Sequence, residues 1–208
     1  ALLAKQVNAG TSYKGYTVKL ANDIDLGSRL WTPIGKSGKA FQGVFDGNGK
    51  TISNLLINNS NLCDAGLFGF TTNGEIKNVT VKNASVKGYL DVGVVAGTPY
   101  TSKYTNITVC GDVYVNGYAY VGGVFGSGGD GARECSIKNV TVASYGGWCG
   151  GITGSSTGMY HTVEDSVIYS ASENSKYVGG ISGYGGGIGR GLVKHSVIAG
   201  ATHVGGIV

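Results

Sequence analysis

VGGVFGSGGDGARECSIKNVTVASYGGWCGGITG, residues 121–154, holds two copies of one glycine unit with alternating apolar and polar residues between them. VGGVFG closes at Gly126 and CGGITG at Gly154. The unit recurs as DAGLFG closing at Gly69, VGVVAG closing at Gly97 and VGGISG closing at Gly183. The intervals between those glycines are 28, 29, 28 and 29 residues. VGGIV at 204–208 opens a further copy. A second motif runs alongside as IKNVTV (76–81), YTNITV (104–109), IKNVTV (137–142), VEDSVI (163–168) and VKHSVI (193–198).

A near-constant period of about 28 residues, made of short β segments without helical periodicity, has few physical solutions. No single strand is long enough to bury its apolar face alone. Stacked repeats let each strand pair in parallel with its counterpart one coil away. The fold class read here is all-β, a single-stranded parallel β-helix (β-solenoid) of about seven coils. At about 4.8 Å per coil the rod is on the order of 30 Å long. The apolar positions of IKNVTV are expected to line the bore. Asn78, Asn106, Asn139, Asp165 and His195 fall at one motif position and are read as a single corner ladder. Stacked amides bond along such a row, and the change to Asp165 and His195 loosens it towards the C-terminal coils.

Outside the repeats, ALLAKQVNAG places Leu2, Leu3 and Val7 near helical spacing with Gly10 as a stop. Residues 1–9 are read as a short helix covering the open end of the bore, which is otherwise an unpaired edge. YTVKLANDIDL (16–26) reads as the first strand. The chain is thus one domain, with a cap at 1–15, first coils at 16–62 and repeats at 63–208. It opens on Ala1 without Met and ends inside a repeat, so it is read as a piece of a longer protein.

Composition agrees. Glycine accounts for 39 of 208 residues, proline for 2, and charged residues for 13%, about half the usual charged share. The net charge of +4 is carried by scattered lysines, which disfavours a nucleic-acid partner. No apolar run approaches the roughly 18 residues of a span, so no membrane insertion is expected in this segment.

YTVKLANDIDLGSRLWTPIG, then FQGVFDGNGKTISNLLI, then the AGLFG and GEIKNVTV units, resemble the GLUG-motif proteins, bacterial surface and secreted proteins. The resemblance covers nearly the whole chain. It implies a parallel β-helix found in adhesin-like proteins, and also as an accessory region of large secreted enzymes such as IgA-specific metallopeptidases. It implies no catalytic site within the repeats.

FDGNG (45–49) raises the question of calcium. An EF-hand loop needs oxygen ligands at positions 1, 3, 5 and 12. Asp46 and Asn48 fit the first two, but Lys50 and Ile57 occupy the others. A tight turn is the better reading, with Gly47 and Gly49 at positive φ. Neither GKSGKAFQG (35–43) nor GYGGGIGRG (183–191) has the context of a phosphate loop. HTVED (161–165) lacks the order of a zinc helix. No metal and no cofactor is implied. Cys63, Cys110, Cys135 and Cys149 show no C-x-x-C spacing and share no repeat position, so buried or half-buried free thiols are expected. Of the sequons at Asn58, Asn78, Asn83, Asn106 and Asn139, three are the ladder itself and follow from its chemistry, so they are not read as glycosylation sites. The 12 carboxylates are dispersed and no acid–base pair stands out, so no enzyme is expected. A threonine array of ice-binding type fails because Thr80, Thr108 and Thr141 are followed by Val.

The positive signal is aromatic. Tyr89, Tyr118, Tyr120, Tyr145, Trp148 and Tyr177 all precede a closing glycine and are expected along one edge of the rod, coil above coil. Such rings either cover turns or present a recognition face. The functional expectation is an extracellular or cell-surface adhesion module whose partner is a host or surface glycan or protein. The rival is an accessory domain of a larger secreted protease or polysaccharide-acting enzyme.

Overall fold

The computed structural model describes residues 1–129, 131–172, 177–185 and 188–206. Parallel strands stack into a β-solenoid of about six turns, with one short N-terminal helix. Each coil visits three faces. The first carries a long kinked strand: Val44–Asn58, Glu75–Lys87, Lys103–Gly117 and Ala132–Ser144 pair in parallel, in chain order. The second carries Leu90–Gly93, Ala119–Gly122, Trp148–Gly150, Tyr177–Gly179 and His203–Gly205. The third carries Phe68–Thr72, Ala96–Tyr100, Phe125–Ser127, Thr153–Ser155 and Ser182–Tyr184.

The long strand bends twice, at residues in the left-handed region five positions apart. The pairs are Asn78 and Asn83, Asn106 and Gly111, Glu134 and Asn139, Tyr160 and Asp165, and Arg190 and His195. Asn tolerates that conformation better than other non-glycine residues. The expected single ladder is therefore two. Asn78 lies beside Asn106, and this first kink continues to Glu134, because Arg133 and Cys135 pair with Thr105 and Ile107. Asn139, Asp165 and His195 form the second kink together with Asn54 and Asn83. Both halves of the strand carry the same local pattern, so the motif fits either kink. Amide-to-amide bonding occurs in the first kink's N-terminal coils, where Asn106 Nδ2 donates to Asn78 Oδ1 at 3.1 Å and Asn78 Nδ2 continues the row to Asp46 Oδ1 at 3.2 Å. From the fifth level onward the kinks become breaks. Gly158–Met159, Thr162–Glu164 and Val167–Ser170 stand where one strand stood before.

The same offset moves Thr141 out of the threonine row, which instead runs Thr51, Thr80, Thr108, Ser136 and Thr162. FDGNG is a bulge where the register shifts between Asp46 and Lys50. Asn48 and Gly49 take positive φ, not Gly47. Gly47 is needed for space, since a Cβ there would sit 2.4 Å from the Asn78 carbonyl. Asp46 accepts the Asn48 N–H at 2.8 Å, which holds its carboxyl below the usual range.

The closing glycines have a related role. A Cβ on Gly97 would lie 2.3 Å from the backbone of Asp64, one on Gly126 2.3 Å from that of Asp91, and one on Gly154 2.4 Å from that of Tyr120. The third face of each coil thus lies directly against the second face of the coil before, at a distance no side chain allows.

The ends and the bore follow the sequence. Helix α1 (Leu2–Ala9) buries Ala4 and Val7, and its Asn8 side chain pins it, donating to the Pro33 carbonyl and accepting from the Gly35 N–H. Trp31 Nε1 donates to the Leu67 carbonyl at 3.0 Å, so WTPIG is the clasp between cap and first coil. The expected strand at 16–26 is two pieces, Thr17–Lys19 and Ile24–Asp25. Inside, Phe41, Phe45 and Phe68 pack at centroid distances of 5.2–5.3 Å. Tyr104 is fully buried, with its ring edge-on to Phe125 at 4.6 Å and its hydroxyl on Thr71.

Gly126→Ala should cost at least about 2 kcal/mol, since the new methyl group meets backbone that cannot yield. Gly49→Ala, at positive φ but with nothing nearby, should cost about 1 kcal/mol. Urea unfolding curves of the two variants distinguish close approach from backbone strain.

Candidate functional site

One outward position of the second face changes character along the rod. Register places Asp64, Asp91, Tyr120, Trp148, Tyr177 and His203 in a single column. On the third face, the residue after each closing glycine forms a facing column of Phe70, Thr98, Ser127, Ser155 and Tyr184. Close glycine packing brings the two columns together.

In the N-terminal coils the clasp is polar. Thr98 donates to Asp64, and Ser127 bonds Asp91. Partial burial pushes both carboxyls above the usual carboxylate range, against those bonds, and Asp64 raises Asp91 further. In the C-terminal coils the clasp is aromatic. Tyr120 and Trp148 stack at 4.6 Å with planes 21° apart. Tyr184 leans on both Trp148 and Tyr177, at 5.7 and 5.8 Å. Tyr177 meets His203 at 4.6 Å. Tyr120 and Trp148 turn their faces to each other, the contacts of Tyr184 and His203 are tilted by 36–54°, and Trp148 Nε1 is buried.

The six expected aromatics thus lie near one edge, but in separate columns. Tyr120, Trp148 and Tyr177 belong to the column above. Tyr89 and Tyr118 stack at 5.4 Å on the preceding turn, where Gly146 makes room for the Tyr118 ring. Tyr145 joins a third group, in which buried Asn116 donates to the hydroxyls of Tyr145 at 2.8 Å and Tyr114 at 3.1 Å. Tyr184, His203 and Tyr114 are additions. Tyr184 was findable, because it directly follows Gly183 as Thr98 follows Gly97. Tyr114 carried no such signal.

Other chemistry is structural. Glu164, Asp165 and His195 come close enough to share an ion. Their oxygens already face the ammonium groups of Lys138 at 3.4 Å and Lys194 at 3.1 Å. His161 is buried, and its Nδ1 accepts the Cys135 N–H at 3.3 Å. Burial lowers its pKa to about 4. All four cysteines are free; Cys135 and Cys149 are buried, and burial pushes the Cys149 thiol up to about 12. Cys63 is exposed, contrary to expectation, because it sits on the turn entering the second face. Asp23 and Asp25 accept backbone N–H groups, and Glu75 pairs with Lys77. Gly186 and Gly187 of the GYGGGIGRG stretch lie outside the described residues. No helix among the described residues is long and apolar enough to cross a membrane.

No family model matches the chain. Halomucin of Haloquadratum walsbyi is 37% identical over 134 residues, 58% of this chain and 1% of that protein. A candidate Gly-rich membrane protein of Evansella cellulosilytica is 38% identical over 92 residues, 41% of this chain and 10% of that protein. The chain therefore spans a small fraction of the length of these curated relatives. A crystal structure of a candidate immunoglobulin A1 protease from Bacteroides ovatus superposes with a TM-score of 0.68 at 22% identity, covering 99% of this chain and 68% of that one. At that identity the likeness shows the fold.

His161 gives a pH prediction. Its folded pKa lies below the unfolded value of about 6.5, so its contribution is present above pH 6.5 and is lost as pH falls towards 4. His161→Gln keeps an acceptor for the Cys135 N–H. Relative to the parent it should gain on the order of 2–3 kcal/mol between pH 7 and pH 4. Denaturant melts at matched pH values measure the difference, in which the opposing contributions of Asp64 and Asp91 cancel.

Proposed function

We propose that this chain is a non-catalytic β-helical module of a larger secreted or cell-surface protein, and that its aromatic edge is a recognition face. The observation that carries the reading is the column Tyr120–Trp148–Tyr177–His203, four coils long and supported by Tyr184. Tyr and Trp are the side chains that most often dominate binding surfaces, because they bring large contact area at low entropic cost. The stacked rings offer edges rather than open faces. That favours a protein surface, with apolar contact and hydroxyl hydrogen bonds, over a sugar laid flat on a ring.

Two further points support the reading. The carboxylates of Asp25, Asp46, Asp64 and Glu164 serve turns, clasps and lysine pairs rather than facing one another across a cleft. The resemblance of the repeats to GLUG-motif proteins, and the likeness to halomucin over 134 residues, fit an extracellular setting. The fold likeness to a candidate immunoglobulin A1 protease favours a second reading, an accessory domain beside a catalytic one. An H-E-x-x-H helix elsewhere in the same polypeptide would favour it.

The test is a screen of the purified chain on immobilised glycans and host matrix proteins, beside a Trp148→Ala, Tyr177→Ala double variant. Saturable binding weakened at least about tenfold in the variant is the expected result. Binding that survives the double substitution would remove the aromatic column from recognition.

A further inference from the structure

A separate site lies on the first face, at its second kink. The bend turns the strand stack concave and opens a groove of about 500 Å³ running along the rod axis. One wall is the kink column Asn54, Asn83 and Asp112; the other is the column Leu56, Ser85 and Tyr114. A second depression, on the other side of Asn54 and Asn83, is lined by Asp25, Ser53 and Lys82.

The walls are pre-set. Asn54 and Asn83 are held in the left-handed conformation. Asn54 Nδ2 donates to Asp25 at 2.8 Å, which leaves its Oδ1 without a hydrogen bond among the described residues. Asn83 Oδ1 accepts the Asp112 N–H at 3.2 Å, which leaves its Nδ2 likewise unused. The groove thus offers one amide acceptor and one amide donor, a coil apart. At its end the Tyr114 ring is 41% exposed, and its hydroxyl is fixed by Asn116 and Tyr169. The ring cannot fold away, and no other ring stacks on it among the described contacts.

We propose that this groove binds an extended polysaccharide chain lying along the rod. The period selects the ligand class. Equivalent positions recur at about 4.8 Å, the coil rise, so two coils span about 9.6 Å, close to the two-unit repeat after which a flat β-1,4-linked chain presents the same edge. An extended peptide presents same-side groups about 6.6 Å apart and falls out of step after one coil. Paired hydroxyls match the amide and carboxylate edges of the kink column, and a pyranose ring lies on Tyr114. Concave sites with a few fixed polar groups beside an aromatic are the usual form of such sites. This inference does not depend on the aromatic edge, which lies on a different face.

The experiment is titration calorimetry of the whole chain with cellohexaose, xylohexaose and chitohexaose, using the parent, Asn83→Gly, Tyr114→Ala and Trp148→Ala. Saturable binding of at least one hexaose is expected, weakened about tenfold by the first two substitutions and changed less than about twofold by the third. Asn83→Gly keeps the left-handed backbone available. It therefore reports on the amide even if Tyr114→Ala loosens its cluster, and circular dichroism melts identify any such loosening. No saturable binding of any hexaose overturns the proposal. So does binding that Asn83→Gly leaves intact, or that only Trp148→Ala removes. Capture of an extended matrix peptide in the groove, lost in Asn83→Gly, with no hexaose bound, would overturn the saccharide assignment.

Discussion

The contact on which the rest of the molecule depends is that between the second and third faces. There a closing glycine of one coil rests on the backbone of the coil before it. Separations of 2.3–2.4 Å from an added Cβ to backbone atoms of the preceding coil recur at Gly97, Gly126 and Gly154. Two β segments approach this closely only when neither has a side chain at the contact. The consequence is a flattened cross-section on that side. The chain must return there every 28 or 29 residues, which fixes the coil length and leaves variation to the turns and the long strand.

Once coil length is fixed, the unit that sequence changes act on is the column, not the coil. Asp64 and Asp91 clasp the third face through hydroxyls, whereas at the same position Trp148 and Tyr177 meet the third face through the Tyr184 ring and Tyr120 stacks on Trp148. Both solutions satisfy one geometric demand, which is something outward-facing that holds two touching faces in line. The carboxylate version burdens itself, since like charges lie a coil apart in a half-buried setting. The ring version has no such penalty and gains one stacked contact, Tyr120 on Trp148, and tilted ones through Tyr184 and His203.

The same logic separates what the sequence displayed from what it hid. The glycine period was plain, because close backbone approach tolerates one residue type, and it placed Tyr120, Trp148 and Tyr177 each six positions before a closing glycine. The ladder was misaligned because the two halves of the long strand are near-copies. VKNASV follows IKNVTV within one strand of the second coil, so a motif of six residues cannot tell the first kink from the second. Distance from the closing glycine could: IKNVTV begins 7 residues after Gly69 but 11 after Gly126. Ring orientation had no sequence signal, since stacking depends on the coil above and not on the residues alongside. Tyr114 was hidden for a similar reason. Its setting comes from Asn116, Tyr145 and Tyr169, which lie on three successive coils.

A structure built from columns also constrains what it can recognise. Each coil adds one rung of nearly fixed height, so any site spanning several coils is linear and repeats at the coil rise. Compact ligands meet only one or two rungs and gain little from the rest. Extended ligands gain with every rung, provided their own repeat stays in step. The kinked face supplies such rungs as amides and carboxylates around a concave bend, while the aromatic edge supplies rings whose faces are in part already used. The two surfaces therefore differ in the chemistry they can offer, although both descend from the same requirement that every coil close on its glycine.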